Sequence, residues 1–406
     1  MATTATLSPK SWAATDVYFA VLLPLVFLTG ITISLSISGT LTAANIHRIQ
    51  DLWFDADTQR VFDNLTDRYS DHYRTSVHPL TSLLLSTPTV ILENLGLPPE
   101  LAARLILAVG AGLLAATFFY LCNWITGRTI DALVYTLLLM SSARFLCFGT
   151  VFELYAWGAF SILAALSSAT VGNRYEGVAL VIGSAVSLSF TVTNWMAGLA
   201  VAYLSVPIRR AALYSALAFA TVAAFTAVQS NLYPTSGKFL FFLEEQKYTK
   251  VDIREKLRAT PKAFFLDPVI LPGVSKISEK GKTILTAERP DGPTNLVLAG
   301  ATLIWICLGS AGALAAWNAQ GRLHQMAMLV TGVIAGQLIL HLFYGDDGFF
   351  LYSLHFAPLL ILLASFSSTT KWRIPSLAGV VVLVGLAAWN NVAGITLAIQ
   401  LIPVPQ

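Results

Sequence analysis

Roughly eleven apolar stretches, most of them close to the ~20 residues a helix needs to cross a bilayer, run through this chain. They fall at 17–37, 101–122, 129–148, 154–171, 177–191, 195–207, 211–230, 294–317, 325–344, 349–367 and 377–400. The pair flanking Thr193-Asn194 is short for a spanning segment. Hydrocarbon offers the backbone no hydrogen-bond partners, so a chain of this pattern satisfies its own amides as helices. The expected fold is an all-α polytopic membrane protein, a single domain over residues 1–406. Composition agrees: 12% of residues are charged and 55% are hydrophobic, where soluble domains carry about 25% charged residues.

Charge then orients the chain. The stretch HPLTSLLLSTPTVILENLG, 78–96, is apolar but interrupted by Pro88 and closed by Glu93 and Asn94. Treated as non-crossing, it leaves Lys10, Arg128, Arg174, Arg209, Arg210, Arg322, Lys371 and Arg373 on one side, as the bias of basic residues towards the cytoplasm requires. Treated as crossing, it scatters them. The N-terminus is therefore expected inside as an uncleaved first helix, the C-terminus outside, and 78–96 as a helix lying on the outer surface. Two long loops, 38–100 and 231–293, then face outward, and loops of such length carry function more often than they merely connect. The second mixes aromatic and charged residues in the manner of amphipathic helices at a headgroup layer.

The formal charge of +3 is scattered, which excludes a nucleic-acid partner of the usual basic-patch kind. Cys122, Cys147 and Cys307 lie in apolar runs without metal-type or paired spacing.

Carboxylates collect on the outer side. Asp51, Asp55, Asp57 and Asp63 stand in DLWFDADTQRVFDN, and Glu153 stands at the outer start of a later crossing in CFGTVFELYAWGAF. Acids flanked by aromatics at an aqueous edge suit general-base work, because partial desolvation raises a carboxyl towards the operating pH. Asp55-x-Asp57 also presents two hard oxygen ligands to a divalent cation; such a metal is possible but not indicated, and no cofactor is expected. Glu153 also fits a helix-start acid that needs no chemistry. Arg144 either pairs with Glu153 or snorkels, and His341 and His355 also fit histidines satisfied inside a bundle.

The order of these elements resembles the GT-C membrane glycosyltransferases, in particular the protein O-mannosyltransferases and the aminoarabinose transferases that modify lipid A. Their first-loop acid matches Asp55-Ala56-Asp57-Thr58, with Asp57 the better fit. Their His-Pro-Pro-Leu or Lys-Pro element matches His78-Pro79-Leu80, one proline short. Their arginine at the head of the second crossing matches Arg104, and their second acid matches Glu153, where aspartate is usual. Near the C-terminus, GDDGFFLYSLHFAPLLILL keeps Tyr352 and Pro358 but has Leu351 where an arginine is common. The resemblance covers the first 170 residues or so in order and one element near 350.

The resemblance implies a GT-C-like bundle of about eleven transmembrane helices, with surface-lying helices in the first outer loop. It implies transfer of a sugar from a polyprenyl-phosphate donor to an acceptor hydroxyl on lipid, glycan or protein, at the outer face of a bacterial inner membrane. Asp57 is then the expected base, with Asp55 and Glu153 beside it. His78 and Arg104 hold the donor phosphate, helped by Arg60, Arg74 or Lys238, and Tyr352, His355 and Asp347 line the substrate pocket. The competing reading is a multi-pass transporter or flippase of a lipid-linked or anionic substrate, against which stand the few mid-helix charges and the gathering of acids at one face.

Overall fold

In the computed structural model the described residues are 12–172, 175–241, 245, 248–249, 251, 253–279, 282–287, 296–345 and 349–402. Among them the chain is an all-α membrane bundle. Helices α1 (Trp12–Ala43), α2 (Thr58–Thr66), α3 (Thr87–Asn94) and α4 (Pro99–Thr126) are followed by α5 (Thr129–Ser141), α6 (Ala143–Phe148), α7 (Tyr155–Ser168), α8 (Glu176–Phe190), α9 (Trp195–Ser205) and α10 (Ile208–Leu232). Then come α11 (Ile253–Phe265), the strands β1 (Ser275–Glu279) and β2 (Lys282–Thr286), and α12 (Leu296–Trp317), α13 (Gly321–Phe343), α14 (Phe349–Tyr352), α15 (Ala357–Ser365) and α16 (Arg373–Gln400).

Helix length divides the bundle. Six helices, α1, α4, α10, α12, α13 and α16, are long and apolar enough to cross a membrane; at 1.5 Å per residue the 22 residues of α12 and the 28 of α4 run about 33 and 42 Å. The other apolar helices are shorter: α5 has 13 residues, α7 14, α8 15 and α9 11, which makes them about 17 to 23 Å long. The sequence supplies the breaks. Ser142 leaves the helical region and its hydroxyl accepts from the Phe145 amide, which stops α5 and starts α6. Thr191 is extended and ends α8 before a single turn at Val192–Asn194.

Small residues let the long helices close on each other. At the crossing of α1 and α4, a Cβ on Gly112 would stand 2.8 Å from the Phe27 carbonyl oxygen, and one on Gly30 3.0 Å from the Gly112 Cα; such close backbone approach substitutes for the hydrophobic drive that lipid removes. At the opposite side, Arg373 clasps the buried Asp131 carboxylate with two 2.7 Å hydrogen bonds, joining the starts of α5 and α16.

The stretch 78–96 contributes a π-helical turn at Ser82–Ser86 that runs into α3. It is anchored rather than free: Gln229 of α10 donates to the Pro79 carbonyl at 2.8 Å and accepts from the Leu83 amide at 2.9 Å. The loop 231–293 holds the amphipathic α11 and, beyond the helices expected there, an antiparallel hairpin pairing Ser275 with Thr286 and Ile277 with Ile284. The hairpin forms because β2 has a place to dock. Leu285 is buried and its amide donates to the Leu52 carbonyl at 2.9 Å, so the second long loop is fixed onto the first.

Candidate active site

The acidic stretch of the first long loop is wound against its preference. Asp51, Phe54 and Asp55 have φ of 65°, 52° and 62°, the left-handed region that non-glycine residues occupy at a cost of the order of 1–3 kcal/mol each. Its apolar neighbours hold it there. Trp53 is fully buried and its indole donates to the Cys147 carbonyl at 2.9 Å, while Phe54 packs against Phe350 at 5.0 Å and Phe148 at 6.4 Å. The Thr58 hydroxyl, 3.0 Å from the carbonyls of both Ile46 and Ile49, fixes the start of α2. With tryptophan and phenylalanine committed inward, Asp51, Asp55 and Asp57 are left facing a cavity of ≈ 610 Å³.

That cavity gathers residues far apart in the chain. Besides the three aspartates it is lined by Arg60, Arg74, His78, Glu153, Thr191, Thr193, Glu245, Tyr248, His341, Tyr344, Tyr352 and His355, among others. Its walls are the start of α7, the residues that follow α8, the end of α13 and the residues leading into α15.

Asp57 and Glu153 meet there, with opposite surroundings. The Asp57 carboxylate pairs with Arg60 one turn along α2 and accepts from Gln50 Nε2 at 2.5 Å. Burial pushes its pKa up, but the charges of Arg60 and Arg74 and the bonds from Arg60 and Gln50 outweigh burial and hold it below the ordinary aspartate value. Glu153 accepts from the Asp57 amide at 2.7 Å and from the Leu154 amide at 3.2 Å. It has no ion pair with a cation within 4 Å among the described residues. Burial first, and the neighbouring Asp57 charge second, push it up to about 7. The acid with a proton affinity suited to neutral pH is therefore Glu153, and the charge that tunes it sits on Asp57.

Arg74 supplies the second charged corner. It pairs with Glu245 at 2.5 Å, Glu245 also accepts from the Tyr344 hydroxyl, and the guanidinium lies 5.7 Å from the ring of Tyr248. Burial works against the Arg74 charge, but Glu245 more than compensates, and its pKa is raised. Arg60 and Arg74 each keep a buried Nε without a hydrogen-bond partner, a donor open to an anion.

The far wall is aromatic. His341 stacks on Tyr352 at 5.2 Å, and Tyr155 meets Tyr352 at 6.0 Å and His355 at 5.7 Å, edge to face. His355 reaches this wall because residue 158 is glycine: a Cβ there would stand 2.3 Å from His355 Nε2.

Of the residues expected from sequence, Asp55, Asp57, Glu153, His78, Arg60, Arg74, Tyr352 and His355 come together in this cavity. Others do not. Arg104 turns away and binds α1, Nη2 donating to the Leu35 carbonyl at 2.6 Å and Nε to Ser38 Oγ at 3.1 Å, so it pins two helices instead of reaching a phosphate. Lys238 is exposed on the second loop and does not line the cavity. Asp347 lies outside the described residues. His78 lines the cavity but cannot supply the expected charge. Its Nδ1 is 2.8 Å from the Phe190 carbonyl and must donate to it, and burial, with Arg74 next in weight, lowers its pKa to about 3. Both favour the neutral imidazole with its proton on Nδ1. Arg144 neither snorkels nor pairs with Glu153; it is fully buried, with its guanidinium carbon 3.4 Å from the centre of the Phe350 ring.

Glu245, Tyr248, Tyr344 and Gln50 belong to the site and carry no sequence motif. The one trace of the first two is the mixture of acids and aromatics around 239–249. Among the described residues no three His, Cys, Asp or Glu side chains are grouped closely enough to hold a metal ion. No known protein family matches this chain, and no curated protein matches it significantly.

Proposed function

We propose that the protein is an integral-membrane glycosyltransferase of GT-C type that moves a sugar from a polyprenyl-phosphate donor to an acceptor hydroxyl at the outer membrane face. One observation carries the reading: one cavity at the ends of the short helices α7 and α8 brings Glu153 and Asp57 together with Arg60 and Arg74. Displacement at an anomeric carbon needs a base for the incoming hydroxyl and cations for the departing phosphate. Both are present.

In this reading the acceptor oxygen bonds to the anomeric carbon as the bond from that carbon to the phosphate oxygen breaks, and polyprenyl phosphate leaves with the electron pair. The acceptor proton goes to Glu153. Asp57 is the positioning partner: its amide holds one Glu153 oxygen and its charge raises the proton affinity of the other. This moves the base from the first-loop acid, the residue the sequence pattern favours, to the second, because the Asp57 carboxylate is already engaged by Arg60 and Gln50. Arg60 and Arg74 receive the leaving phosphate through the donors they keep open, and Tyr155, Tyr352 and His355 form the apolar faces against which a sugar ring stacks. In this reading the six long helices and the shorter apolar ones together make about eleven crossings, and the donor reaches the site from the lipid around them.

Purified protein incubated with polyprenyl-phosphate sugars tests the proposal. Release of free polyprenyl phosphate that depends on an added acceptor is the expected result. Donor recovered intact at every acceptor concentration, with lipid-linked sugar moving between the leaflets of proteoliposomes instead, would replace the transferase with a transporter.

A further inference from the structure

Helix α11 is fixed at the level where a spanning helix ends. Lys256 Nζ donates to the carbonyl oxygens of His341 and Tyr344, each at 3.0 Å, and to that of Gly345. A cation on the last carbonyls of α13 neutralises the negative end of that helix. Further along, Phe264 stacks on Phe356 at 3.9 Å, and the Trp305 indole donates to the Phe265 carbonyl at 2.6 Å. Lys256, Thr260 and Phe264, four residues apart, are the buried face of α11.

Two more stripes follow around the same helix. Ile253, Leu257, Pro261 and Phe265 lie next to the buried face and are exposed, Leu257 at 54%. Arg254, Arg258 and Lys262 lie one step further round and are exposed as well. Residues four apart stack into such rows, and neighbouring rows are offset by the 100° helical step. Going round the helix the order is therefore protein, apolar, basic. A helix held against a bundle at the height of a transmembrane terminus meets acyl chains with its apolar row, and headgroup phosphates with the basic row beside it. Arg258 and Lys262 have no ion-pair partner among the described residues. Spaced four residues apart on one open row beside an apolar row, these two cations match a ligand of opposite charge at that height.

We propose that α11 is a binding strip for anionic phospholipid headgroups, with Arg258 and Lys262 on the phosphodiester, Arg254 adjoining, and Ile253, Leu257 and Phe265 seated in the chains beneath. The strip does not depend on what chemistry the cavity performs, and its test does not use turnover.

The full-length protein carrying Leu257→Cys in a Cys307→Ser background, labelled with a polarity-sensitive fluorophore, is reconstituted into phosphatidylcholine vesicles. A fixed fraction of the lipid is then replaced by brominated phosphatidylcholine or brominated phosphatidylglycerol. Quenching by both lipids is expected, with the anionic one favoured by about fivefold or more, the scale of one to two basic side chains near a charged surface. Arg258→Gln with Lys262→Gln should bring the two lipids close to equal while leaving quenching by brominated phosphatidylcholine unchanged. Equal quenching by the two lipids before that change, a preference that survives it, or no quenching by either lipid would each overturn the proposal.

Discussion

Replacing Glu153 by glutamine should remove both the activity and a characteristic pH dependence of stability. Burial and the neighbouring Asp57 charge push the Glu153 carboxyl up to about 7 in the folded protein, against a reference of 4.5. At 1.36 kcal/mol per unit, ionising Glu153 in place costs about 3 kcal/mol relative to the unfolded chain. The sign follows from the direction of the shift. A carboxyl whose folded pKa is raised leaves stability intact below pH 4.5 and withdraws it as pH climbs through 7, so the native protein should lose up to about 3 kcal/mol between pH 5 and pH 8.5 from this group alone. Glu153→Gln keeps an oxygen for the Asp57 and Leu154 amides and carries no charge. It should match the native protein at pH 5 and be the more stable of the two at pH 8.5. Turnover should fall by about 10²- to 10⁴-fold, the usual contribution of a general base. In the native protein turnover should rise with pH to a plateau, with a midpoint near 7, because the base must be unprotonated. Asp57→Asn should move that midpoint to lower pH, since the neighbouring charge that raises Glu153 has gone and Arg60 is released towards it. Thermal unfolding in detergent across pH, alongside pH–rate profiles for the three proteins with a lipid-linked sugar, provides the measurements. A midpoint unmoved by Asp57→Asn, or native-level turnover in Glu153→Gln, would refute the assignment.

Three further expectations concern the frame of the site. Arg74→Ala should weaken donor binding at least tenfold, as loss of a charge-assisted contact does, whereas Arg104→Ala should leave donor affinity within about twofold and destabilise the protein by about 1.5–3 kcal/mol, the worth of hydrogen bonds made by a charged donor; equilibrium donor binding and unfolding midpoints separate the two. Gly158→Ala places a methyl in the space of His355 Nε2, so it should cost about 1–3 kcal/mol of stability and lower turnover by displacing the aromatic wall, both readable on one purified variant. A cysteine at position 96, beyond α3, should react with an impermeant maleimide from outside the cell; labelling from the cytoplasm alone would reverse every later loop.

What the sequence discloses and what it hides follow from the range of the interactions. Asp57, Glu153, His78, Tyr352 and His355 are legible because hydropathy delimits the helices and charge assigns each loop an expected side, which marks the polar residues able to share one pocket. Arg104 misleads for a geometric reason. An arginine at a helix head can reach outward or back along a neighbouring helix, and the Leu35 carbonyl and Ser38 hydroxyl decide the matter from a position no local pattern contains. Glu245 is invisible for a related one: its partner Arg74 lies 171 positions away. The division of roles between Asp57 and Glu153 is also beyond sequence, because it rests on which of two neighbouring acids Arg60 and Gln50 engage. The hairpin at 275–286 is hidden because only the Leu52 carbonyl and a buried slot for Leu285 give its strands somewhere to dock.

The inequality of helix lengths has a consequence for the lipid as well as for the protein. Helix α8 is 15 residues long, α9 is 11, and both show apolar side chains outward, Val178 and Ile182 on the first and Tyr203 and Leu204 on the second. A hydrocarbon layer of about 30 Å cannot meet helices of about 17–23 Å without hydrophobic mismatch, and an elastic bilayer answers by thinning where it touches them. The annulus beside α8 and α9 should therefore be compressed, and under the proposed function a phosphate carried on a long prenyl chain would reach the site without climbing to the full height of the leaflet. If the protein is the proposed transferase, reconstitution in lipids of increasing acyl length should then raise the apparent KM for the donor before it lowers kcat, making bilayer thickness a variable of the proposed reaction.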